Sequence, residues 1–434
     1  MNEQIYFNNK EYSYLPDYNI LTNTKTENIL KKYGKTVKNR SILLNEALVR
    51  EEVKRINTIV FELTENCNLR CKYCIYSGHF YFHRKHSKNC MNFDIARKTI
   101  DYFYNLLKNS PDNEIGLAFY GGEPLLNLSL MREIVDYFEK RFYDWKIHYI
   151  LSTNGTLLHK KDIIKYMISK EFDMRISIDG PEKNHDAYRV YINGKGTFER
   201  IIRNLELIYK KSKRYFSEHI SIGVTHSSEL SLLEIYDFFN NKKIFEYIGS
   251  ISIGDASRIN SDLYDNFEYE SNRKAEEDRI FEQIKSKVRE KKRLLAIDRA
   301  FIEIYNIQDK LDKRIYFHTQ STCRFNSRAF ITVNGDFHIC ERGNHRFKIG
   351  DYRNGYDYKK MVDIYYNFKK TLKKSCSRCS YRFLCDLCFA SIENDGYFSL
   401  SEEFCRDRRS FIEYSMERYI ELNQEEVFEY ANQK

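Results

Sequence analysis

No run of about 18 apolar residues occurs in this 434-residue chain, so no segment reads as a bilayer-spanning helix. The opening MNEQIYFNNK is polar and does not read as a secretory leader; the expectation is a soluble, cytoplasmic protein with no membrane partner. Internal repeats of about 20–50 residues and low-complexity tracts are absent, which excludes solenoids and repeat arrays. Nor is there a concentrated basic patch: Lys and Arg outnumber Asp and Glu by 71 to 62, but they are spread along the chain. The resulting +9 is a solubility feature, and no nucleic-acid partner is expected. A disulfide framework is excluded on other grounds. The 11 cysteines would stay reduced in the cytosol, which leaves metal or cluster ligation as their use.

What is there is a large chain, 42% hydrophobic, able to bury a core spread over two or three domains. Residues 1–55 alternate as QIYFNNKEYSYL, turn at Pro16-Asp17 and continue into a helix-like KTENILKKYG, a small hairpin-and-helix module. Over 56–260, strand-like runs (NTIVFEL, IGLAFY, IHYILST, MRISID, HISIGV, IGSISIG) alternate with helix-period stretches such as NFDIARKTIDYFYNLLK and TFERIIRNLELIYKK. Six strands separated by helices predict an α/β fold, a partial (β/α)6 TIM-like barrel. Its active site should collect at the strand ends, where Cys67, Gly121 with Gly122, Asn154 and Asp179 fall. Residues 261–317 are charged with interspersed apolar positions and read as surface helices bridging two domains. A cysteine-rich, cluster-binding domain follows at 318–410, with so little aliphatic content that it is expected to need metal to fold, and a helix closes the chain at 411–434.

The chemistry begins at TENCNLRCKYCIYSG, where Cys67, Cys71 and Cys74 are three thiols without a fourth. Three thiolates can hold three irons of a [4Fe–4S] cubane and leave the last open to a ligand that is not protein. Spacing alone also admits a zinc site completed by a distant His or Cys. Downstream, YSGHFYFHRKHSKNC carries His79, His83, His86 and Cys90. No acidic or cysteine partner lies at ligand spacing, so this run reads as a solvated, substrate-facing loop rather than a second metal site.

The Cys67-x3-Cys71-x2-Cys74 pattern, with Tyr73 before its last cysteine, resembles the signature of the radical S-adenosylmethionine (SAM) superfamily. The resemblance implies that SAM supplies the missing ligand and is cleaved to a 5′-deoxyadenosyl radical. It extends to YGGEP, Tyr120 to Pro124, where Gly121, Gly122, Glu123 and Pro124 would meet the ammonium of SAM. Two glycines would let the backbone approach the ligand without a Cβ clash. STNGT and SIDGP resemble the next strand ends and nominate Asn154 and Ser177 for ribose and carboxylate contacts; HDAYR nominates Arg189 for the carboxylate.

A second array comprises Cys323, Cys340, Cys376, Cys379, Cys385, Cys388 and Cys405. By itself it divides evenly between zinc ribbons and iron–sulfur clusters. It resembles the SPASM domain of peptide-modifying enzymes, which implies two auxiliary [4Fe–4S] clusters and three in all. Cys376, Cys379, Cys385 and Cys405 would hold the distal cluster, and Cys323, Cys340 and Cys388 the proximal one, with a fourth iron open to a substrate thiol. The chain departs from the common pattern in having only Asp386 and Leu387 between Cys385 and Cys388.

The resemblance implies a maturase of ribosomally made peptides that joins a cysteine sulfur to a carbon as a thioether. Its partners would be a precursor peptide, whose leader the first 55 residues would bind, and an electron donor such as flavodoxin or ferredoxin. Two alternatives stay open: a sulfatase-maturating enzyme oxidising Cys or Ser to formylglycine, and a zinc-binding nucleic-acid module. Glu341, directly after Cys340, is the candidate catalytic base.

Overall fold

The computed structural model describes residues 3–7, 10–15, 20–23, 45–80, 84–110, 113–227, 230–256, 270–307, 327–343, 345–382, 384–385, 387–393 and 395–432. Cys323, His83, Asp386 and the expected helix near KTENILKKYG lie outside them. Each of the six strand-like runs is a strand: β4 (Thr58–Thr64), β5 (Glu114–Gly121), β6 (Lys146–Thr153), β7 (Asp173–Ser177), β8 (Ile220–His226) and β9 (Ser250–Asp255). They pair in parallel in sequence order, the connectivity of a partial TIM barrel.

Alternation assigns the two faces of this sheet. Ile59, Phe61 and Leu63 of β4, Leu117 and Phe119 of β5, and Ile222 and Val224 of β8 point outward into one continuous apolar core. Helices α2 (Phe93–Leu107), α3 (Leu128–Arg141) and α6 (Phe198–Lys211) cover that face. In α2, Ala96, Ile100, Phe103 and Leu107 form the buried stripe, and Asn92 caps its start by accepting from the Asp94 N–H. Val60, Ala118 and Phe330 form a separate small cluster on the inner face, with Tyr120 and Ile150 against it.

Two expectations change. The cysteine-rich segment does not stand apart: β10 (Arg328–Ile331) pairs in parallel with β4, and β11 (Asp336–His338), β12 (Gly350–Asp351) and β13 (Gly355–Tyr356) extend the same ten-stranded sheet. Its core is aromatic rather than aliphatic. Phe347, Phe368, Phe389 and Phe398 pack at centroid separations of 4.7–5.6 Å, so the segment has hydrophobic support besides any metal. Likewise the expected surface helices, α9 (Glu270–Arg289) and α10 (Ala296–Ile304), bury Ile280, Phe281, Ile284, Ile297 and Phe301 in the main core. Their charges misled because several are buried in pairs. Asp298 is fully buried and takes the Lys287 ammonium at 2.8 Å, and Lys285 meets Glu421 at 2.5 Å.

At the start of the chain, β1 (Glu3–Phe7), β2 (Lys10–Leu15) and β3 (Ile20–Asn23) form an antiparallel sheet, one strand more than the expected hairpin. Strand β1 lies along the closing helix, α12 (Glu402–Gln424). Leu21 of β3 packs against a small buried cluster of Ile307, Tyr381, Leu384, Ile412, Met416 and Ile420, which Cys379 and Cys385 also border. A short helix, α1 (Glu46–Glu52), leads into β4.

Candidate radical SAM site

The three-cysteine loop leaves the C-terminal end of β4 and is tied down on two sides. On one side, the Gly122 N–H donates to the Thr64 carbonyl at 2.8 Å and the Glu123 N–H to that of Asn66 at 2.9 Å. A Cβ on Gly121, whose φ is +135°, would stand 2.3 Å from the Thr64 oxygen, and one on Gly122 2.3 Å from the Asn66 oxygen. The glycines therefore admit the backbone of the cysteine loop itself, a close approach the sequence reading assigned to a ligand.

On the other side the loop pairs with the HDAYR segment at the end of α5 (Glu182–Tyr188): Arg70 N–H donates to the Val190 carbonyl at 2.8 Å and Lys72 N–H to that of Tyr188 at 3.1 Å. This pairing sets Arg189 against the cysteine loop. Its Nη1 is 4.0 Å from Cys71 Sγ, its Nε donates to Asp179 Oδ2 at 2.8 Å and its Nη2 to Thr225 Oγ1 at 3.3 Å. Asp179 is fully buried and also accepts from the Tyr73 hydroxyl and, at 2.9 Å, from the Thr225 N–H. His185 locks the knot: the Asp179 N–H donates to its Nδ1 at 3.3 Å, so Nε2 carries the proton and faces Thr197 Oγ1 at 2.9 Å. Burial holds this imidazole neutral, its pKa lowered to about 4. The guanidinium of Arg189 is thus engaged on three sides by protein, one of them the Cys71 thiol.

The three thiols share one environment. Cys67 is buried, with the Leu69 N–H at 3.4 Å and Asn154 Nδ2 at 3.9 Å from its sulfur; Cys74 receives the Tyr76 N–H at 3.4 Å. Burial raises the pKa of all three, Cys71 to about 12 even though Arg189 opposes the rise, and each of Cys67 and Cys71 feels the charge of Cys74. Without metal these groups are thiols, and ligation must displace their protons. Among the described residues no three His, Cys, Asp or Glu side chains converge on a point at single-ion distance. His79 is exposed, His86 stacks on Tyr76 at 5.8 Å, and Cys90 Sγ contacts Thr64 Oγ1 at 3.2 Å, so these residues do not gather into a second site.

Of the other nominated residues, Glu123 is fully buried and accepts from Thr153 Oγ1 at 2.8 Å, the Asn154 N–H at 2.8 Å and the Leu125 N–H at 3.1 Å. It ties the ends of β5 and β6 together, and burial lifts its pKa to about 7 against those bonds. Three donors leave a carboxylate about one free lone-pair site. Pro124 opens the buried turn that follows. The Asn154 amide spans Asn68 Oδ1 at 3.0 Å and the Thr156 N–H at 3.0 Å. Ser177 ends β7, half-buried.

Sequence reasoning missed a buried ion pair on the inner face. Glu62 of β4 is fully buried and meets Arg84 Nε at 3.0 Å. Arg84 also donates to the Glu341 carbonyl and lies over the Phe330 ring at 4.8 Å, and the Tyr76 hydroxyl and the Val333 N–H, at 3.0 Å, donate to Glu62. The signal was a lone glutamate inside an apolar strand, VFELT. This pair carries the β4–β10 junction and fixes the backbone beside Cys340. The Glu341 carboxylate itself faces Arg328 at 3.2 Å.

In the second array, Cys376 at the end of α11 (Tyr358–Cys376) feels the charges of Cys385, Cys405 and Cys379, and burial raises it to about 12. These four thiols, one of them in the first turn of α12, gather where two helix ends meet. Cys340 is buried in the turn after β11, and Cys388 opens the short turn at Phe389–Ser391.

Residues 61–239 match the family model described as the Radical SAM superfamily. The cysteine-type anaerobic sulfatase-maturating enzyme of Clostridium novyi is 27% identical over 199 residues, 45% of this chain and 50% of that enzyme. The chain thus spans about half the length of the curated relatives it matches. Two solved structures share the fold: native anSMEcpe with bound AdoMet (TM-score 0.64, 20% identity, 84% of this chain and 98% of that one) and Streptococcus suis SuiB bound to precursor peptide SuiA (TM-score 0.52, 14% identity, 82% and 78%). The superfamily implies a [4Fe–4S] cluster and SAM, and three thiols held together at the end of β4 fit such a cluster with one iron left open. Residues 61–239 of this chain are a radical SAM domain.

Proposed function

We propose that the chain is a peptide-modifying radical SAM enzyme that installs a thioether between a cysteine sulfur and a carbon of a ribosomally made precursor. The observation that carries the reading is the double anchoring of the Cys67, Cys71 and Cys74 loop, with Arg189 against Cys71, above a sheet whose inner face is continuous with the Cys340 segment. Bound there by Cys67, Cys71 and Cys74, a cluster with SAM would supply the radical chemistry for hydrogen abstraction. The chain's residues do the rest: Arg189 offsets thiolate charge at Cys71, while Asp179 and Tyr73 hold that arginine in place. Gly121, Gly122, Asn154 and Ser177 stand at the strand ends where SAM would lie. Cys376, Cys379, Cys385 and Cys405 would hold one auxiliary cluster, and Cys340, Cys388 and Cys323 another. A precursor with a leader and a flavodoxin- or ferredoxin-type donor complete the reading.

Sulfatase-type maturation is the second reading, favoured by the likeness to the Clostridium novyi enzyme. Mass spectrometry separates the two. With dithionite and SAM, anaerobically reconstituted protein should convert a cysteine-rich peptide encoded beside its gene by loss of two hydrogens with sulfur retained. Loss of sulfur and gain of a carbonyl in a sulfatase-derived peptide would instead establish the second reading. Failure to form 5′-deoxyadenosine at all would overturn both.

A further inference from the structure

On the inner face of the sheet, the strand registers bring Tyr120, Ser152 and Arg175 side by side: Phe119 pairs with Leu151, and Ser152 with Arg175. Arg175 is the third residue of β7 and is exposed on this face. Its side chain does not rise straight from its strand. It lies across β8 at Gly223, where a Cβ would stand 2.7 Å from its Nε and 3.5 Å from its Cζ, and its Nη2 donates to Ser252 Oγ on β9 at 2.5 Å. A glycine on one strand and a serine on the next thus form a seat for a laid-down guanidinium. Glu341 and Arg342, from the turn after β11, come within electrostatic range of both Arg175 and Tyr120, and Tyr120 also feels Cys74. Among the described residues no carboxylate forms an ion pair with Arg175, while Glu341 is already paired with Arg328. Glu341, the acid in range of Arg175 and Arg342, is thus already engaged by Arg328.

We infer that Arg175, seated over Gly223, binds a carboxylate of the substrate peptide on the inner face of the sheet. A guanidinium has five N–H donors in a planar fork, and the bond to Ser252 uses one of them. The remaining edge suits a bidentate carboxylate. Ser177 lies two residues further along the same strand and on the same face, so Arg175 is about 7 Å deeper than the strand end where SAM would lie. An extended peptide covers about 3.3 Å per residue, which places the acidic group within about one to three residues of the modified position. The substrate class is a peptide with Asp, Glu or its own C-terminus close to the reacting residue. The inference rests on the proposed peptide-modifying function and deepens it.

The carboxylate of SAM is the other source of the same chemistry, and the test separates the two. Calorimetric titration of the reconstituted full chain, with SAM and without reductant, would use the acetylated and amidated peptide Ala-Cys-Ala-Glu-Ala-Ala and its Gln counterpart. The wild type should bind the Glu peptide at least tenfold more tightly, and Arg175→Gln should bring the ratio near one. Arg175→Lys, which keeps the charge but loses the fork, and Gly223→Val, which fills the seat, should each reduce the ratio, so the result does not hang on one variant folding. Equal binding by wild type, no detectable binding of either peptide, or a ratio that survives in the variants overturns the inference. So does a tenfold rise in the SAM concentration that half-saturates 5′-deoxyadenosine formation in Arg175→Gln with the peptide ratio intact, which would make SAM the owner of the carboxylate. Formation of 5′-deoxyadenosine without peptide tests the proposed function separately.

Discussion

The two cysteine arrays are built in opposite ways. Cys67, Cys71 and Cys74 sit on a loop clamped by backbone hydrogen bonds to the end of β5 and to the strand-like segment after α5, with a buried Arg189–Asp179 pair beneath them. Cys376, Cys379, Cys385 and Cys405 are gathered from the end of one helix, a turn and the start of another, and Leu21 from the N-terminal sheet packs on the same small apolar cluster that Cys379 and Cys385 border. The first array is organised by the barrel before any cluster arrives. The second is assembled from the ends of elements far apart in sequence, and its ligands are expected to depend more on the group they hold.

The largest effect should come from removing one array at a time. Replacing Cys67, Cys71 and Cys74 together by Ala should abolish 5′-deoxyadenosine formation and leave the iron of the second array in place, about two-thirds of a full complement if each array holds what the proposal assigns. The reciprocal variant, Cys376→Ala with Cys379→Ala, should retain SAM cleavage but lower the melting temperature, because its helix ends lose their common ligand. Iron assays and calorimetry check both. Equal destabilisation by the two variants would erase the distinction.

Next in size is Arg189→Leu, which leaves Asp179 buried without its cation. Breaking such a pair costs about 3–5 kcal/mol. Denaturant unfolding of the apoprotein should show that loss, together with weaker retention of iron in the first array only. A comparable loss of iron from the second array would mean that the clamp is not local.

His185 sharpens the comparison through pH. Burial lowers its pKa from the usual 6.5 to about 4, and its Nδ1 accepts from the Asp179 N–H, so the folded form refuses a proton that the unfolded chain accepts. Stability from this group is present above pH 6.5 and is lost as pH falls toward about 4. The linkage amounts to about 3 kcal/mol at most. His185→Gln should be less stable at neutral pH but should lack that acid-sensitive component in pH-dependent unfolding; an unchanged pH profile would remove the imidazole from the account.

How much of this was legible in the sequence follows the same division. The six strands and the three-cysteine loop announce themselves through apolar runs and spacing, because each depends on neighbours in sequence. The ties between distant segments do not. Nothing in YGGEP says that Gly122 answers to Asn66, nor in HDAYR that its backbone pairs with the cysteine loop; both depend on segments brought together by the barrel. The charged stretch around Glu270–Ile304 misread as surface for a related reason, since Lys287 with Asp298 and Lys285 with Glu421 are satisfied only once packed. Arg175 was invisible because its seat is the absence of a side chain on a neighbouring strand.

The smallest structural effect should come from Glu341→Gln, and that is its use. The carboxylate faces Arg328 at 3.2 Å, and that arginine side chain is 45% exposed, so the pair is worth less than about 1 kcal/mol. The tie between this turn and the barrel runs through the Glu341 backbone carbonyl and Arg84, which the substitution leaves intact. Glu341 directly follows Cys340 and lies within electrostatic range of Tyr120, which packs on the inner face of the sheet, so the proposal makes it the candidate base for the substrate thiol. A base that takes the substrate's proton contributes about 10²–10⁴ in rate. Glu341→Gln should therefore lower peptide turnover by about 10² or more, while 5′-deoxyadenosine formed without peptide stays near wild type and the melting temperature hardly moves. Full peptide turnover in that variant would leave Glu341 as the partner of Arg328 and nothing more.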